Sequence, residues 1–353
     1  MRPLFEPRLV NDAIGDPVLY VDLRDERRAL LFDLGDVAAL APRHLMRLTH
    51  VFVSHAHMDH FAGFDTLLRV VLGRKPRLVL AGGPGFDEQV EHKLRAYTWN
   101  VVHRYEVALV LDVHALGLDG RVAGARFSSR SGFVREALPG AACPGGVLLD
   151  EPLLRVRAAF VDHGTPCLAF AVEEKARVRV DRARLDALGV ATGPWLRALK
   201  LAVLGGAPPA TPIELAWRDR DGVHAMTRSV GELADVVLDV TPGQRLGFVT
   251  DLRDSAANLH ALQALLGGVD RLFIECAFLD ADRAHAQRKH HLTARQAGAI
   301  AGAIGARAVT PLHLSPRYAQ RADAVRAELL AAWREASPDT VQPPPGAPPP
   351  SGA

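Results

Sequence analysis

The sequence of 353 residues predicts a mixed α/β fold, with sheets packed as a sandwich and helices outside them. Two patterns predict it. Short apolar strands alternate with segments of helical spacing in both halves of the chain, and the first half opens on a hairpin, which a plain doubly wound sheet would not do. A third observation places the chemistry. Val51-Phe52-Val53-Ser54-His55-Ala56-His57-Met58-Asp59-His60 puts three histidines and an aspartate within six positions, directly after an apolar strand.

The elements follow in order. Residues 18–22 and 29–33 are apolar runs joined by the charged turn 23–28, the pattern of a hairpin. Residues 50–54 form a third strand. Over 59–73, Phe61, Phe64, Leu67, Leu68, Val71 and Leu72 recur at helical spacing. A strand at 78–80 leads to the turn-rich loop 81–85 and a helix over 90–97. From 104 to 161 the chain is strand-like in short pieces, the last at 153–160, and another strand follows at 168–172. Residues 173–206 are charged and locally helical, interrupted by the breaker Ala191-Thr192-Gly193-Pro194. Then come a strand at 245–250 ending at Asp251, a helix at 254–266 and a strand at 271–275. A helix at 293–304, a strand at 308–310 and a helix at 320–335 complete the series. The Pro-rich segment 336–353 is expected to be a disordered tail.

Composition bounds the class. At 48% hydrophobic and 23% charged, the chain reads as globular. Its 42 basic and 40 acidic residues leave a net charge of +2, which argues neither for nor against a nucleic-acid partner. Cys143, Cys167 and Cys276 are too few and too scattered for a disulfide framework or a thiolate zinc knuckle, and are expected to be buried thiols. No apolar stretch follows a basic start, and none is long enough to span a membrane, so a cytoplasmic protein is expected.

Imidazole and carboxylate are the donor types of zinc, manganese and iron sites. At the extended end of a strand, side chains two apart point the same way, so His55 and His57 can grip one ion. A helix starting near Asp59 swings Asp59 and His60 toward a neighbouring position, which suggests two metals. The helical H-E-x-x-H spacing is absent. Such a site needs more donors. His163, Asp251 and His313 each follow a predicted strand, where ligands collect in layered α/β folds.

His55-Ala56-His57-Met58-Asp59-His60 resembles the signature of the metallo-β-lactamase superfamily. Asp162-His163-Gly164-Thr165-Pro166-Cys167-Leu168, Val249-Thr250-Asp251, Ile274-Glu275-Cys276-Ala277-Phe278, His291-Leu292-Thr293 and the run from Pro311 to Tyr318 together are similar to the ribonuclease Z family, the tRNA 3′-processing endonucleases. The resemblance covers most of residues 15–320. It implies a four-layer αββα sandwich, with residues 1–335 as one hydrolase domain and 173–206 as an inserted substrate-binding arm. It implies two zinc ions, with manganese or iron as fitting replacements. His55, His57 and His163 would hold one, Asp59, His60 and His313 the other, and Asp251 would bridge them. The implied activity is endonucleolytic removal of tRNA 3′ trailers by a metal-activated hydroxide. Asp59 is the implied proton acceptor, and His291, oriented by Glu275, the proton donor to the leaving oxygen. Gly193, Pro194, Arg197 and Lys200 match the arm that grips the RNA, and a homodimer in which each arm serves the other subunit is implied.

Basic residues around that arm (Lys175, Arg177, Arg179, Arg182, Arg184) are interspersed with Glu173, Glu174, Asp181 and Asp186. The chain also departs from the family. Where a Gly-Leu-Pro-Gly-Leu-Leu stretch is usual it has Gly63-Phe64-Asp65-Thr66-Leu67-Leu68, and it carries the unusual block Tyr97-Thr98-Trp99-Asn100. The changed loop is expected beside the substrate cleft. With the near-neutral charge, it favours a second reading, a hydrolase of the same fold acting on a small phosphodiester, lactone or thioester. A metal-dependent scaffold with a dead site would lack ligands, and none of the seven is missing.

Overall fold

The computed structural model describes residues 4–24, 26–219 and 222–337. The segment expected to be a disordered tail lies outside the described residues from 338 onward. The chain divides into two units, the larger made of Glu6–Gly146, Ala158–Ala171 and the residues from Leu246 on, the smaller chiefly of Val147–Arg157 and Val172–Arg245.

In the larger unit, strands β1 (Phe5–Leu9), β2 (Leu19–Leu23), β3 (Arg28–Phe32), β4 (Leu48–Phe52), β5 (Arg77–Gly82), β6 (Val110–Leu116), β7 (Arg121–Ser128) and β8 (Arg135–Ala142) form one sheet in sequence order. β2 and β3 make the expected hairpin. β3 to β6 run parallel, and β6 to β8 antiparallel. Parallel neighbours need crossovers. These carry helices α1 (Pro42–Arg47), α2 (Met58–Phe61), α3 (Phe64–Val71) and α4 (Phe86–Arg95). Period-two alternation sorts the strand residues. Leu31, Val51, Leu80 and Val113 pack under Leu45 of α1, Leu67 and Leu68 of α3 and Val90 and Leu94 of α4.

The chain continues through β9 (Val147–Asp150), β10 (Leu154–Asp162), β11 (Pro166–Glu174) and β12 (Ala176–Val180). Next come α5 (Arg182–Ala187), α6 (Pro194–Leu204), β13 (Pro212–Asp219), β14 (Gly222–Ser229), α7 (Val230–Val237) and β15 (Leu238–Pro242). It returns with β16 (Arg245–Val249), α8 (Ala256–Leu266), β17 (Arg271–Glu275), α9 (Arg283–Lys289), α10 (Ala294–Ile304), β18 (Val309–Leu312) and α11 (Ala322–Ala336). The second sheet has the order β18-β17-β16-β11-β10-β9. Its outer face, Ala169, Val249, Leu272 and Ile274, lies under Leu262 of α8, Ile300 of α10 and Leu329 of α11. Phe32 and Phe52 of the first sheet meet Phe170 and Phe248 of the second, with centroids 5.5 Å (Phe32–Phe170), 5.9 Å (Phe52–Phe170) and 6.1 Å (Phe32–Phe248) apart. Helices, sheet, sheet, helices: four layers with aromatic packing between the sheets.

The helix expected over 59–73 is two helices. The chain breaks at Gly63, whose N–H donates to Leu34 O at 2.9 Å. A β-carbon at Gly63 would lie 2.0 Å from Gly35 O, so only glycine allows this approach. Gly63→Ala is expected to lower stability by about 1–3 kcal/mol through overpacking, read as a lower denaturant midpoint.

The smaller unit has its own core. Leu185, Trp195, Leu199, Leu215, Leu233 and Val237 are buried together, β12 pairs with β15 and β13 with β14. The inserted segment expected over 173–206 is thus part of a unit running on to Arg245. Its continuation was legible in the alternation of Ile213, Leu215 and Trp217. Several of its basic residues are paired: Arg177 with Glu174, Arg182 with Asp186, Arg184 with Asp181 and Asp239, and Lys175 with Asp150. All three cysteines are buried thiols, as expected. No helix among the described residues is long and apolar enough to cross a membrane.

Candidate metal centre

Strand ends deliver the cluster. β4 runs out at Phe52, and the extended chain beyond it carries His55 and His57. α2 then turns Asp59 and His60 over them. His163 sits in the turn between β10 and β11, Asp251 follows β16, Glu275 ends β17, and His313 follows β18 in a left-handed conformation (φ 56°). All belong to the larger unit.

Asp251, 2% exposed, is the hub. Its Oδ2 lies 3.3 Å from His163 Nε2, 3.4 Å from His60 Nε2 and 3.7 Å from His55 Nε2. Its Oδ1 lies 2.8 Å from His313 Nδ1. Asp59 Oδ2 is 3.2 Å from His313 Nε2 and 3.6 Å from His60 Nε2. The ring of His57 is 4.3 Å from that of His55 and 5.3 Å from that of His163, between centroids. Donor atoms of His55, His57, His163 and Asp251 fall within 4.8 Å of one another, as do those of Asp59, His60 and His313. Asp251, Glu275, His291 and His313 make a third such group, but both Glu275 oxygens are engaged. Oε1 accepts from Leu252 N–H (2.8 Å) and Oε2 from His291 Nδ1–H (3.1 Å).

These residues fit a divalent cation. His55 Nε2 and His60 Nε2 are buried without a hydrogen-bond partner and face the Asp251 carboxylate, an arrangement that a cation between them satisfies. The opposite nitrogens are fixed. His55 Nδ1–H donates to Ser54 Oγ (3.1 Å), His60 Nδ1–H to Asp33 Oδ2 (2.8 Å) and His163 Nδ1–H to the carbonyl of His290 (2.9 Å). Burial, and then the charge of His60, lower His55 to about 2, and burial lowers His163 against the pull of Asp251, so both are neutral, the ligand form. On the other side burial opposes charge on His60, but Asp251 and Asp33 raise it to about 10. Burial likewise opposes His313, and Asp251 raises it well above its ordinary value. Asp251 is held well below the carboxylate range by His313 and His60 despite burial. A bound cation would displace those protons.

Sequence reasoning missed Asp33. It is fully buried and left-handed (φ 58°), and accepts from Ser54 N–H (2.7 Å), Ser54 Oγ–H (3.0 Å) and His60. An acid closing an apolar strand beside Leu34-Gly35 was the available signal. Asp33→Ala is expected to weaken metal binding about 10- to 100-fold, measured by competition with a chelator.

No family model matches the chain. A ribonuclease Z of Deinococcus radiodurans is 33% identical over 314 residues, covering 88% of this chain and 86% of the relative. The chain belongs to the ribonuclease Z family. A ribonuclease Z of Halorubrum lacusprofundi is 29% identical over 325 residues, covering 89% of this chain and 86% of the relative. Among solved structures, the short form of human tRNase Z matches with a TM-score of 0.50 at 15% identity, covering 89% of this chain and 91% of that one. The metallo-β-lactamase fold protein YhfI from Bacillus subtilis matches with a TM-score of 0.50 at 15% identity, covering 93% and 94%. They show the fold, and the four layers above agree with the expected sandwich.

In this ribonuclease Z family member two further sets of residues singled out in the sequence have a defined place. The departing stretches come together: Asp65, Thr66, Leu68 and Arg69 line one cavity of about 520 Å³ with Tyr97, Thr98 and Trp99. The cavity beside the metal-facing histidines, about 170 Å³, is lined instead by His55, His57, Gly83, Pro84, Gln89 and Thr165, among others. The changed loop, expected beside the substrate cleft, lines the first of these cavities. The arm residues belong to the smaller unit. Gly193 caps α6, Pro194 opens it, and Arg197 and Lys200 follow on it, Arg197 exposed and Lys200 half-buried.

Proposed function

We propose that this chain is a metal-dependent endoribonuclease that removes 3′ trailers from tRNA precursors. The observation that carries the reading is the convergence of seven donor side chains, Asp251 and six others, with the Glu275–His291 pair beside them. His55, His57 and His163 would hold one ion, Asp59, His60 and His313 a second, with Asp251 between them. The donor set, imidazole and carboxylate with no thiolate, suits zinc, and manganese or iron as well. Bound there, such ions supply a lowered pKa for water and positive charge against the phosphoryl oxygens.

The chain's own residues do the rest. The Asp59 side chain, 42% exposed, lies on the open side and accepts the proton of the attacking water. Glu275, 0% exposed, holds Nδ1 of His291 and leaves its Nε2 to donate to the departing 3′ oxygen. Burial disfavours the His291 charge, but Glu275 by charge and hydrogen bond, then Asp251, raise its basicity above the ordinary value, so it keeps a proton to give. On the smaller unit, Gly193, Pro194, Arg197 and Lys200 form the grip on RNA phosphates. The enzyme is a homodimer working in the cytoplasm, where a tRNA precursor is met.

The experiment is cleavage of a 3′-extended tRNA precursor by the zinc-loaded protein, beside bis(p-nitrophenyl) phosphate. A single cut at the end of the mature sequence, abolished by a chelator and restored by zinc, is expected. Turnover of the small phosphodiester alone would overturn the RNA assignment and leave the metal centre standing.

A further inference from the structure

We propose that His290 is a positioning residue that locks the His163 turn to the loop carrying His291. One joint thereby sets both a metal-facing imidazole and the proton-donating one. The proposal rests on the metal-centre reading above.

His290 closes α9 in a left-handed conformation (φ 60°, ψ 32°), a place that favours glycine or asparagine. A histidine there is strained, and its ring has a use. His163 Nδ1–H donates to the His290 carbonyl at 2.9 Å, and His290 Nδ1–H donates to the His163 carbonyl at 3.2 Å. The two residues, 127 positions apart, thus hold each other through side chain and main chain in both directions. Gly164 fits this joint closely. Its φ is 84°, and a β-carbon there would lie 2.3 Å from His290 Nδ1.

The turn is also closed across itself by His163 N–H donating to Thr165 O (3.1 Å), and further braces hold its base. Gly164 N–H donates to Asp162 Oδ1 (2.7 Å), Arg253 N–H to the Asp162 carbonyl (2.9 Å), and the Arg253 guanidinium pairs with Asp162 at 3.1 Å. The tilt of the His163 ring is set by the His290 carbonyl. That carbonyl is one peptide away from His291, whose ring lies 4.9 Å from that of His163 and whose N–H donates to Ala286 O (3.0 Å). A partner on the nitrogen facing away from a metal fixes tautomer and aim. Here that partner also holds the start of the His291 loop.

Two variants test this. His290→Gly takes the left-handed conformation without strain and loses the ring. His290→Asn tolerates the conformation and places an amide nitrogen where Nδ1 stands. Zinc affinity by chelator competition, the Tm of the metal-free protein, and kcat and KM on a 3′-extended tRNA are measured for each. For His290→Gly the metal-free Tm should hold or rise. Zinc affinity should fall about 10- to 100-fold, and kcat should fall about tenfold or more at unchanged KM. His290→Asn should recover most of both. Wild-type affinity and kcat in His290→Gly, an asparagine variant as impaired as the glycine one, or a metal-free Tm falling in parallel would each overturn the latch. If the wild-type protein takes up no zinc, the metal-centre reading fails, and the latch with it.

Discussion

Asp251→Ala is expected to lose its metal and its cleavage activity together. Asp251 lies within 4 Å of donor nitrogens from both proposed groups: His55 and His163 on one side, His60 and His313 on the other. Removing it leaves those imidazoles facing one another with no anion between them, and two cations that close would repel without the shared carboxylate. The loss of kcat/KM should exceed about 100-fold, the upper end of the cost of removing a partner that merely orients a ligand. Metal analysis of the purified variant, run beside turnover of a tRNA precursor and of bis(p-nitrophenyl) phosphate, checks it. Full metal content with activity near wild type would sink the bridging role. Asp251→Asn keeps the shape and one acceptor oxygen but removes the negative charge, and should fall between wild type and Asp251→Ala.

His291→Ala is expected to lower kcat on RNA by about 10²- to 10⁴-fold, the range of a positioned general acid, with metal content unchanged. Glu275→Gln should follow in the same direction by a smaller factor. It keeps the size of a fully buried group that bonds Leu252 and His291, but removes the charge that favours imidazolium. The discriminating measurement is the leaving group. A ribose 3′ oxygen needs a proton to depart, whereas p-nitrophenolate leaves well without one. Both variants should therefore keep most of their turnover of bis(p-nitrophenyl) phosphate while losing that of the tRNA precursor. An equal loss on both substrates would instead point to a damaged metal centre and remove His291 from the acid role.

The parts legible in the sequence were those encoded locally. The run from His55 to His60 declares its donors within one turn of chain. The strand before it and the amphipathic stretch after it are read from periods of two and 3.6. His163, Asp251 and His313 could be seen as residues at strand ends, but 15 histidines in the chain made each weak alone, and the family motifs joined them. Other features depended on distant partners. The break at Gly63 is imposed by the carbonyl of Gly35. The Asp33–Ser54–His60 bonds link three elements, and the His163–His290 joint links the turn before β11 to the end of α9. The departing stretches near 65 and 97 lie far apart in the sequence, and only the packing of the chain brings them to one cavity.

By itself, then, the sequence determined the donor chemistry, the strands past whose ends His55, His163, Asp251 and His313 stand, and the family. The tertiary structure decided which strand ends meet, which nitrogen of each imidazole turns inward, and which non-glycine residues are held left-handed at the joints. The reason is physical. Side-chain phase along a strand or helix follows from neighbours a few residues away. The separation of two strand ends follows from pairing and sheet packing across the whole chain, as when β16, β17 and β18 pair in register to bring Asp251, Glu275 and His313 to one edge.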